Sequence, residues 1–533
     1  MIVLNHLMLS RRVRQILAPW DRDDAPGATL GIVRNGELVA HGNVGLASIE
    51  LGVPITENTT FRIASVSKQF TCAAILLLAA EGRLSVDDDV RQYFPTLPDY
   101  GHRITIDHLM HNTSGIRDML EIMRMGGADL GQPIEPEDLL EGIYRQRALN
   151  FQPGMRYLYS NSNFMLLGRI VEQVGGKRFG EFLCERVFTP LGMSMTRHVE
   201  RAAEPAPGLA TGYFPDGETA WRRAPHSFPL HGEGGLVSSV QDLALWHAQF
   251  GSPRAGGPAL ARELTEQAPF LNGHMNAYAR GLGVRVYRGQ RIVEHNGLWP
   301  GYKTAFKRLP DRDEAVICIA NNSTIDPEPL AHAAIDTLLD GDASAPRALP
   351  RPPREDVARL AGRWLARETG ATADIAVDAE GNVTVTTYGV LFVAQPQPDG
   401  RLGGPNSSTH FSMRLVGDDT LDVEHDAGVH LTYERVPNGG ALPAGLDGVY
   451  ANEDIGAVWT IEGSGVRAEG PIVRVRGWSV EPVTGEHIRI VAPTGLYRTW
   501  FDVTVQRDAE NRVTALHVDG GRARGLLFAQ VRG

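Results

Sequence analysis

The chain has 533 residues and a net charge of −11, with 42% hydrophobic, 22% charged and 7% aromatic residues. At roughly 150 residues per domain that length predicts three or four domains, each able to bury its own core. The composition excludes a disordered chain, a collagen or a coiled coil, and the acidic balance without a basic run argues against binding nucleic acid.

The N-terminal stretch places Arg11, Arg12 and Arg14 after its apolar residues, the reverse of a secretory signal, and reads as a short amphipathic helix. The longest apolar run, Ala73 to Ala80, is far too short to cross a bilayer. A cytoplasmic protein without a membrane partner is the expectation. Cys72, Cys184 and Cys318 are odd in number and far apart, which predicts neither a disulfide framework nor a cysteine-based metal site.

Thr29 to His41 reads as a hairpin turning at Asn35-Gly36. Helices are predicted over Val66–Glu81 (closed at Gly82), Ile106–Met110, Pro136–Gln146, Asn163–Val174 and Glu328–Leu339. Strands are predicted over Gly281–Val286, Arg291–His295, Ala305–Leu309 and Ala315–Ala320. The expected first domain, residues 1–340, is therefore α+β: an antiparallel sheet covered by helices.

A proline-rich polar linker follows at 341–354. Beyond it the helical signals vanish, and short alternating strands separated by Gly, Asn and Asp turns remain. A second break at Pro437 to Gly445 divides this region into 355–437 and 438–533. Leu360-Ala-Gly-Arg-Trp-Leu-Ala-Arg-Glu-Thr-Gly-Ala aligns with Leu446-Asp-Gly-Val-Tyr-Ala-Asn-Glu-Asp-Ile-Gly-Ala, with Leu, Gly, an aromatic, an acid and Gly-Ala in register. Two copies of one small antiparallel β-barrel are the economical reading.

Three short patterns carry chemistry. Ser65-x-x-Lys68 opens an apolar helix and stacks a hydroxyl and an amine on one face. A neighbouring amine can take the serine proton, and the free N–H groups of a helix start can hold an oxyanion. Tyr159-x-Asn161, behind the Phe151-Gln-Pro-Gly turn, starts a further helix; a phenol close to an ammonium is a plausible base because the cation lowers its pKa. His295-x-Gly297 ends a strand, where a glycine lets backbone approach a substrate and a histidine could donate to it. Each pattern alone also fits a cap, a core aromatic or a strand-end histidine. Their joint occurrence in this order is what points to a site. His108 and His111 share a helix face, but no third ligand with metal spacing accompanies them, so capping and core roles are expected. His226, His231 and Glu233, with the glycines around Glu233, match no phosphate fingerprint.

The ordered set resembles the penicillin-recognising serine hydrolases. The strings Ser65-Val-Ser-Lys-Gln-Phe-Thr-Cys-Ala and His111-Asn-Thr-Ser-Gly-Ile-Arg-Asp, the histidine in the third motif and the layout of a hydrolase followed by two eight-stranded barrels resemble the D-aminopeptidases of the class C β-lactamase superfamily. The Gly232-Glu233-Gly-Gly run is similar to a substrate-side loop of that superfamily.

The resemblance implies a serine hydrolase that releases an N-terminal D-amino acid from small peptides, amides or esters through an acyl-enzyme. Ser65 would be the nucleophile, Lys68 and Tyr159 would manage its proton with Tyr159 as base, and the N–H groups of Ser65 and Leu298 would form the oxyanion hole. Asn161, His295 and Gly297 would position the substrate. A loop of the last barrel, matched here by 492–500 with Gly495 at its centre, would restrict the site to a free amino end. Two departures bear on specificity: that segment is short, and Ala64 precedes the nucleophile where the resemblance implies a cysteine.

No cofactor or metal is implied. The expected partner is a small peptide or amide carrying a D-residue, with a homodimer kept open as the assembly. The rivals are a β-lactamase-like esterase or D,D-carboxypeptidase on the same machinery, and a non-catalytic sensor on the same fold.

Overall fold

The computed structural model describes residues 6–218, 220–227, 229–341, 349–397, 399–404, 411–425, 428–437, 439–493 and 498–531. The first domain is built on a six-stranded antiparallel sheet. In chain order its strands are β1 (Ala28–Arg34), β2 (Glu37–Val44), β3 (Gly283–Tyr287), β4 (Gln290–Trp299), β5 (Tyr302–Leu309) and β6 (Glu314–Ala320). They lie in the order β3-β4-β5-β6-β1-β2. The β1–β2 hairpin turns on Asn35 and Gly36, whose φ angles of 52° and 76° are the pair a two-residue turn of matching twist requires.

Strand β6 is buried throughout because both faces of the sheet are covered. Val316, Cys318 and Ala320 face a core shared with α1 (His6–Leu17) and the C-terminal helix Pro327–Asp340. The N-terminal amphipathic segment is thus an integral helix that buries Leu9, Val13, Ile16 and Leu17. Ala315, Ile317 and Ile319 face the larger core, which holds α2 (Lys68–Ala80), α3 (Ile106–Met110), α5 (Pro136–Tyr144) and α6 (Asn161–Gly175). No helix among the described residues is long and apolar enough to cross a membrane.

Two closed eight-stranded antiparallel barrels follow, the first spanning Gly362 to Val436 and the second Gly448 to Gln530. The matched positions of the two repeats do the same work. The Trp364 indole donates to the Leu360 carbonyl and the Tyr450 hydroxyl to the Leu446 carbonyl, both at 2.8 Å. The barrels meet through a buried cluster in which Arg489 reaches Asp374 at 2.7 Å and Asp502 accepts from the backbone and hydroxyl of Thr372 at 2.8 and 2.6 Å.

The second barrel is also continuous with the first domain. Ile122 and Met125 of α4 (Met119–Met125) belong to its apolar core, and the Trp459 indole donates to the Met125 carbonyl at 2.9 Å. Glycines make that insertion possible: a Cβ at Gly470 would stand 2.1 Å from the Gly126 carbonyl oxygen.

Candidate active site

Ser65 sits in a tight turn, Ala64–Ser67, that runs directly into α2. Ala64 adopts φ 47°, a left-handed conformation that a residue with a Cβ adopts only under constraint from its surroundings, and it lies immediately before the hydroxyl. Ser65 is not acting as a helix cap; its Oγ lies 3.2 Å from the Lys68 Nζ.

Lys68 is fully buried, and its Nζ has three oxygen neighbours: Ser65 Oγ, the Asn161 amide oxygen at 2.9 Å and the Glu233 carbonyl at 2.6 Å. The last two can only accept, so they consume two N–H groups. The third direction points at Ser65. In the ammonium form it donates to the serine; in the amine form it is the lone pair that receives the serine proton. Burial pushes the Lys68 amine down to about 7, against the opposing carboxylates of Glu233 and Asp118, and the Arg522 guanidinium pushes it the same way as burial.

Tyr159 is 4% exposed, and Lys68 Nζ lies 4.7 Å from the centre of its ring. Burial drives its phenol well above the ordinary value despite a hydrogen bond with Ser65 and the nearby Arg522 cation. The tyrosinate expected from a neighbouring ammonium is therefore not favoured: desolvation acts on both groups, holding Tyr159 as a phenol and lowering the pKa of the Lys68 amine.

Asn161 is oriented by a residue outside the three motifs. Asp118 accepts from the Asn161 backbone N–H at 2.6 Å and from its amide N–H at 2.8 Å, which leaves the amide oxygen facing Lys68. Asp118 closes the segment 111–118, whose role is to clamp the Tyr159 loop. Asn112, at φ 55°, accepts from the Ser160 N–H at 3.1 Å and the Asn163 amide at 3.0 Å. Ser114 donates to Asn163 at 2.7 Å, and Ser162 donates to the Arg117 carbonyl at 2.7 Å. His108 completes the cap of α3 by accepting from the Thr105 N–H at 3.2 Å.

The loop carrying Glu233 wedges between α2 and α6. Gly232 accepts from Thr71 at 2.6 Å, and a Cβ on it would meet the Phe164 carbonyl at 2.5 Å. This loop supplies the floor under Lys68.

Strand β4 continues past the predicted end at His295 to Trp299. Its pairing with β3 stops at Glu294, so the edge beyond lies open and packs against the Ser65 turn. A Cβ at Gly297 would stand 2.2 Å from the Ile63 carbonyl oxygen, so only glycine lets the strand come this close. Leu298 follows on that edge and is 54% exposed.

His295 is buried with both ring nitrogens engaged. Nδ1–H donates to the Asn296 carbonyl at 2.7 Å, which fixes Nε2 as the acceptor for the Tyr278 hydroxyl at 2.9 Å. Burial and the Lys68 charge push the imidazole down to about 3. The expected donor to substrate is here a neutral, internally satisfied ring that props the aromatic wall of Tyr278 and Tyr159.

Gly495 lies outside the described residues, as does the centre of segment 492–500. The strands beside it, His487–Pro493 and Arg498–Arg507, pair Pro493 with Arg498. A different turn of the second barrel reaches the site. Asp118 N–H donates to the Arg522 carbonyl at 3.2 Å, and the Arg522 guanidinium lies 5.3 Å from the centre of the Tyr159 ring. Neither Asp118 nor Arg522 had a local signal beyond the motif string that contains the first. No group of metal-ligating residues occurs among the described residues.

The family description "Beta-lactamase" matches residues 9–340, more than half of the chain. The chain belongs to the beta-lactamase family. Its relatives include a D-aminopeptidase of Gluconobacter oxydans, 29% identical over 355 residues, an alignment that spans 66% of this chain and 66% of that protein's length. A D-aminopeptidase of Brucella melitensis is 26% identical over 526 residues, covering 95% of this chain and 96% of that one, barrels included. Among solved structures, the octameric penicillin-binding protein homologue from Pyrococcus abyssi has a TM-score of 0.56 at 22% identity, covering 88% of this chain and 99% of that one. The D-amino acid amidase from Ochrobactrum anthropi has a TM-score of 0.51 at 24% identity, covering 62% and 98%. Both likenesses are of fold.

Proposed function

We propose that this beta-lactamase family member is a serine hydrolase that releases an N-terminal D-amino acid, of D-alanine type, from small peptides, amides or esters through an acyl-enzyme on Ser65. The observation that carries the chemistry is the buried Lys68 amine, with two N–H groups fixed on Asn161 and Glu233 and its third direction on the Ser65 oxygen. The D-aminopeptidase relatives, one of them aligned through both barrels, support the substrate class.

In the reading offered here Lys68, as the amine, takes the proton as Ser65 Oγ attacks the carbonyl carbon. The oxyanion that forms is held by the N–H groups of Ser65 and of Leu298 on the open edge of β4. Tyr159, a phenol in contact with Ser65, passes a proton to the leaving nitrogen and is reprotonated from Lys68. Water then cleaves the ester by the reverse transfers, and Ser65 regains its proton.

Hydrolysis of D-alanyl p-nitroanilide, its L enantiomer and its N-acetyl derivative tests this. The D compound with a free amine should be the substrate, and Ser65→Ala should abolish its turnover with the fold intact. Preference for the acetylated compound would point to an esterase, β-lactamase or carboxypeptidase specificity on the same site. Absence of turnover together with no labelling of Ser65 by a fluorophosphonate would point to a non-catalytic sensor.

A further inference from the structure

We infer that Arg522, delivered by the second barrel, is a specificity-determining residue that receives a carboxylate of the substrate beside Tyr159. The inference rests on the proposed hydrolase reading and adds a substrate charge to it.

The turn that carries Arg522 joins the last two strands of the barrel, Val513–Asp519 and Leu526–Gln530. Its backbone is held without help from the arginine side chain. The Asn150 amide donates to the Arg522 carbonyl at 3.0 Å and accepts from the Arg524 N–H at 2.9 Å. The Gly520 N–H donates to the Ala523 carbonyl at 2.9 Å, and Ala523 is fully buried. Anchoring therefore does not explain the guanidinium.

The Arg522 side chain is 31% exposed, and its guanidinium lies next to the phenol that touches the nucleophile. Its nearest carboxylate, Asp118, is 3.9 Å away, and the Asp118 oxygen involved already accepts two hydrogen bonds from Asn161. Among the described residues the guanidinium forms no hydrogen bond, although it presents five N–H donors in a planar fork. A half-open, under-used arginine fork at the edge of a reaction centre is the geometry that takes a carboxylate by two parallel hydrogen bonds. The same positive charge repels a substrate ammonium, which places the free amine of the substrate on another side of the site.

The carboxylate has two possible origins, the leaving group of a peptide with a free C-terminus or the side chain of an acidic D-residue. Two substrate pairs separate them: D-alanylglycine against D-alanylglycinamide, and D-glutamyl against D-glutaminyl p-nitroanilide. Each is measured with the full-length wild-type chain, Arg522→Gln and Arg522→Lys. The expected result is a preference of about tenfold or more in kcat/KM for the charged member of one pair, carried by KM. Arg522→Gln should remove that preference, and Arg522→Lys should keep part of it as a point charge. A loss common to both members cancels in the ratio.

Where Arg522→Gln loses all turnover, the same ratios are read as dissociation constants on Ser65→Ala and on Ser65→Ala combined with Arg522→Gln. Ratios unchanged by Arg522→Gln, or a wild-type preference for the neutral member of both pairs, would overturn the inference. Wild-type turnover of D-alanyl p-nitroanilide is the separate control: its absence defeats the hydrolase reading, while the binding ratios still decide the role of Arg522.

Discussion

If Lys68 is the base, two charges placed around it must move its pKa in opposite directions, and the structure sets both magnitudes. Asp118 is linked to it through Asn161, at 2.8 Å to the amide nitrogen and 2.9 Å from the amide oxygen to Nζ. Charges roughly 7 Å apart at an effective dielectric of about 20 attract by about 2 kcal/mol. Arg522 and Lys68 lie 5.3 and 4.7 Å from the same Tyr159 ring centre. Their charges are therefore no more than roughly 10 Å apart and, at the same dielectric, repel by about 1.7 kcal/mol or more.

Asp118→Asn keeps an oxygen that can accept from Asn161 but removes the carboxylate that favours the ammonium. The Lys68 pKa then falls. Arg522→Gln removes a cation that disfavours the ammonium, and the pKa rises. Because the amine is the active form, kcat/KM climbs with pH as Lys68 loses its proton, from a starting pKa of about 7. The acid limb should move down by about 1.5 pH units in Asp118→Asn and up by about one in Arg522→Gln. The assay is the pH profile of kcat/KM on D-alanyl p-nitroanilide. Its own amine titrates identically with each variant, so the differences report the enzyme. Limbs that stay in place, or move in the same direction, would refute Lys68 as the titrating base.

Further outcomes follow from the same geometry. Gly297→Ala places a methyl group 2.2 Å from the Ile63 carbonyl oxygen, so β4 must withdraw from the Ser65 turn; kcat/KM should fall by about 100-fold or more while the far-ultraviolet dichroism is retained. Tyr278→Phe leaves the buried His295 Nε2 without its donor and should lower stability by about 1–3 kcal/mol in denaturant unfolding. Truncation after residue 437 strips the cover from Ile122 and Met125 and the partners of Arg117 and the Met125 carbonyl, so the shortened chain should lose solubility and thermal stability instead of simply accepting more substrates.

What the sequence made legible was local. Ser65 and Lys68 are three residues apart on one turn and the Tyr159 pattern sits at a helix start, so their joint order along the chain marks a candidate site. The barrels were legible from alternation and from the matched positions around Leu360 and Leu446. Their structural signature is the pair of side-chain bonds made by Trp364 and Tyr450. The strand predicted to end at His295 runs on to Trp299, and the close approach expected at Gly297 is made to the Ile63 carbonyl, where no Cβ fits. The roles of Asp118, Tyr278 and Arg522 depend on contacts with residues distant in the chain, and no periodicity records such contacts. Proximity of a cation predicts a tyrosinate, but the depth of burial, which only the fold supplies, reverses the preference.

The covalent intermediate on Ser65 is the most direct thing to measure. Wild-type chain mixed with a D-alanyl ester, quenched in acid during turnover and mapped by peptide mass spectrometry, should carry the D-alanyl group on the peptide containing Ser65. The adduct should be absent with the L enantiomer and from Ser65→Ala. Turnover without an adduct, an adduct on another residue, or undiminished turnover by Ser65→Ala would contradict the account.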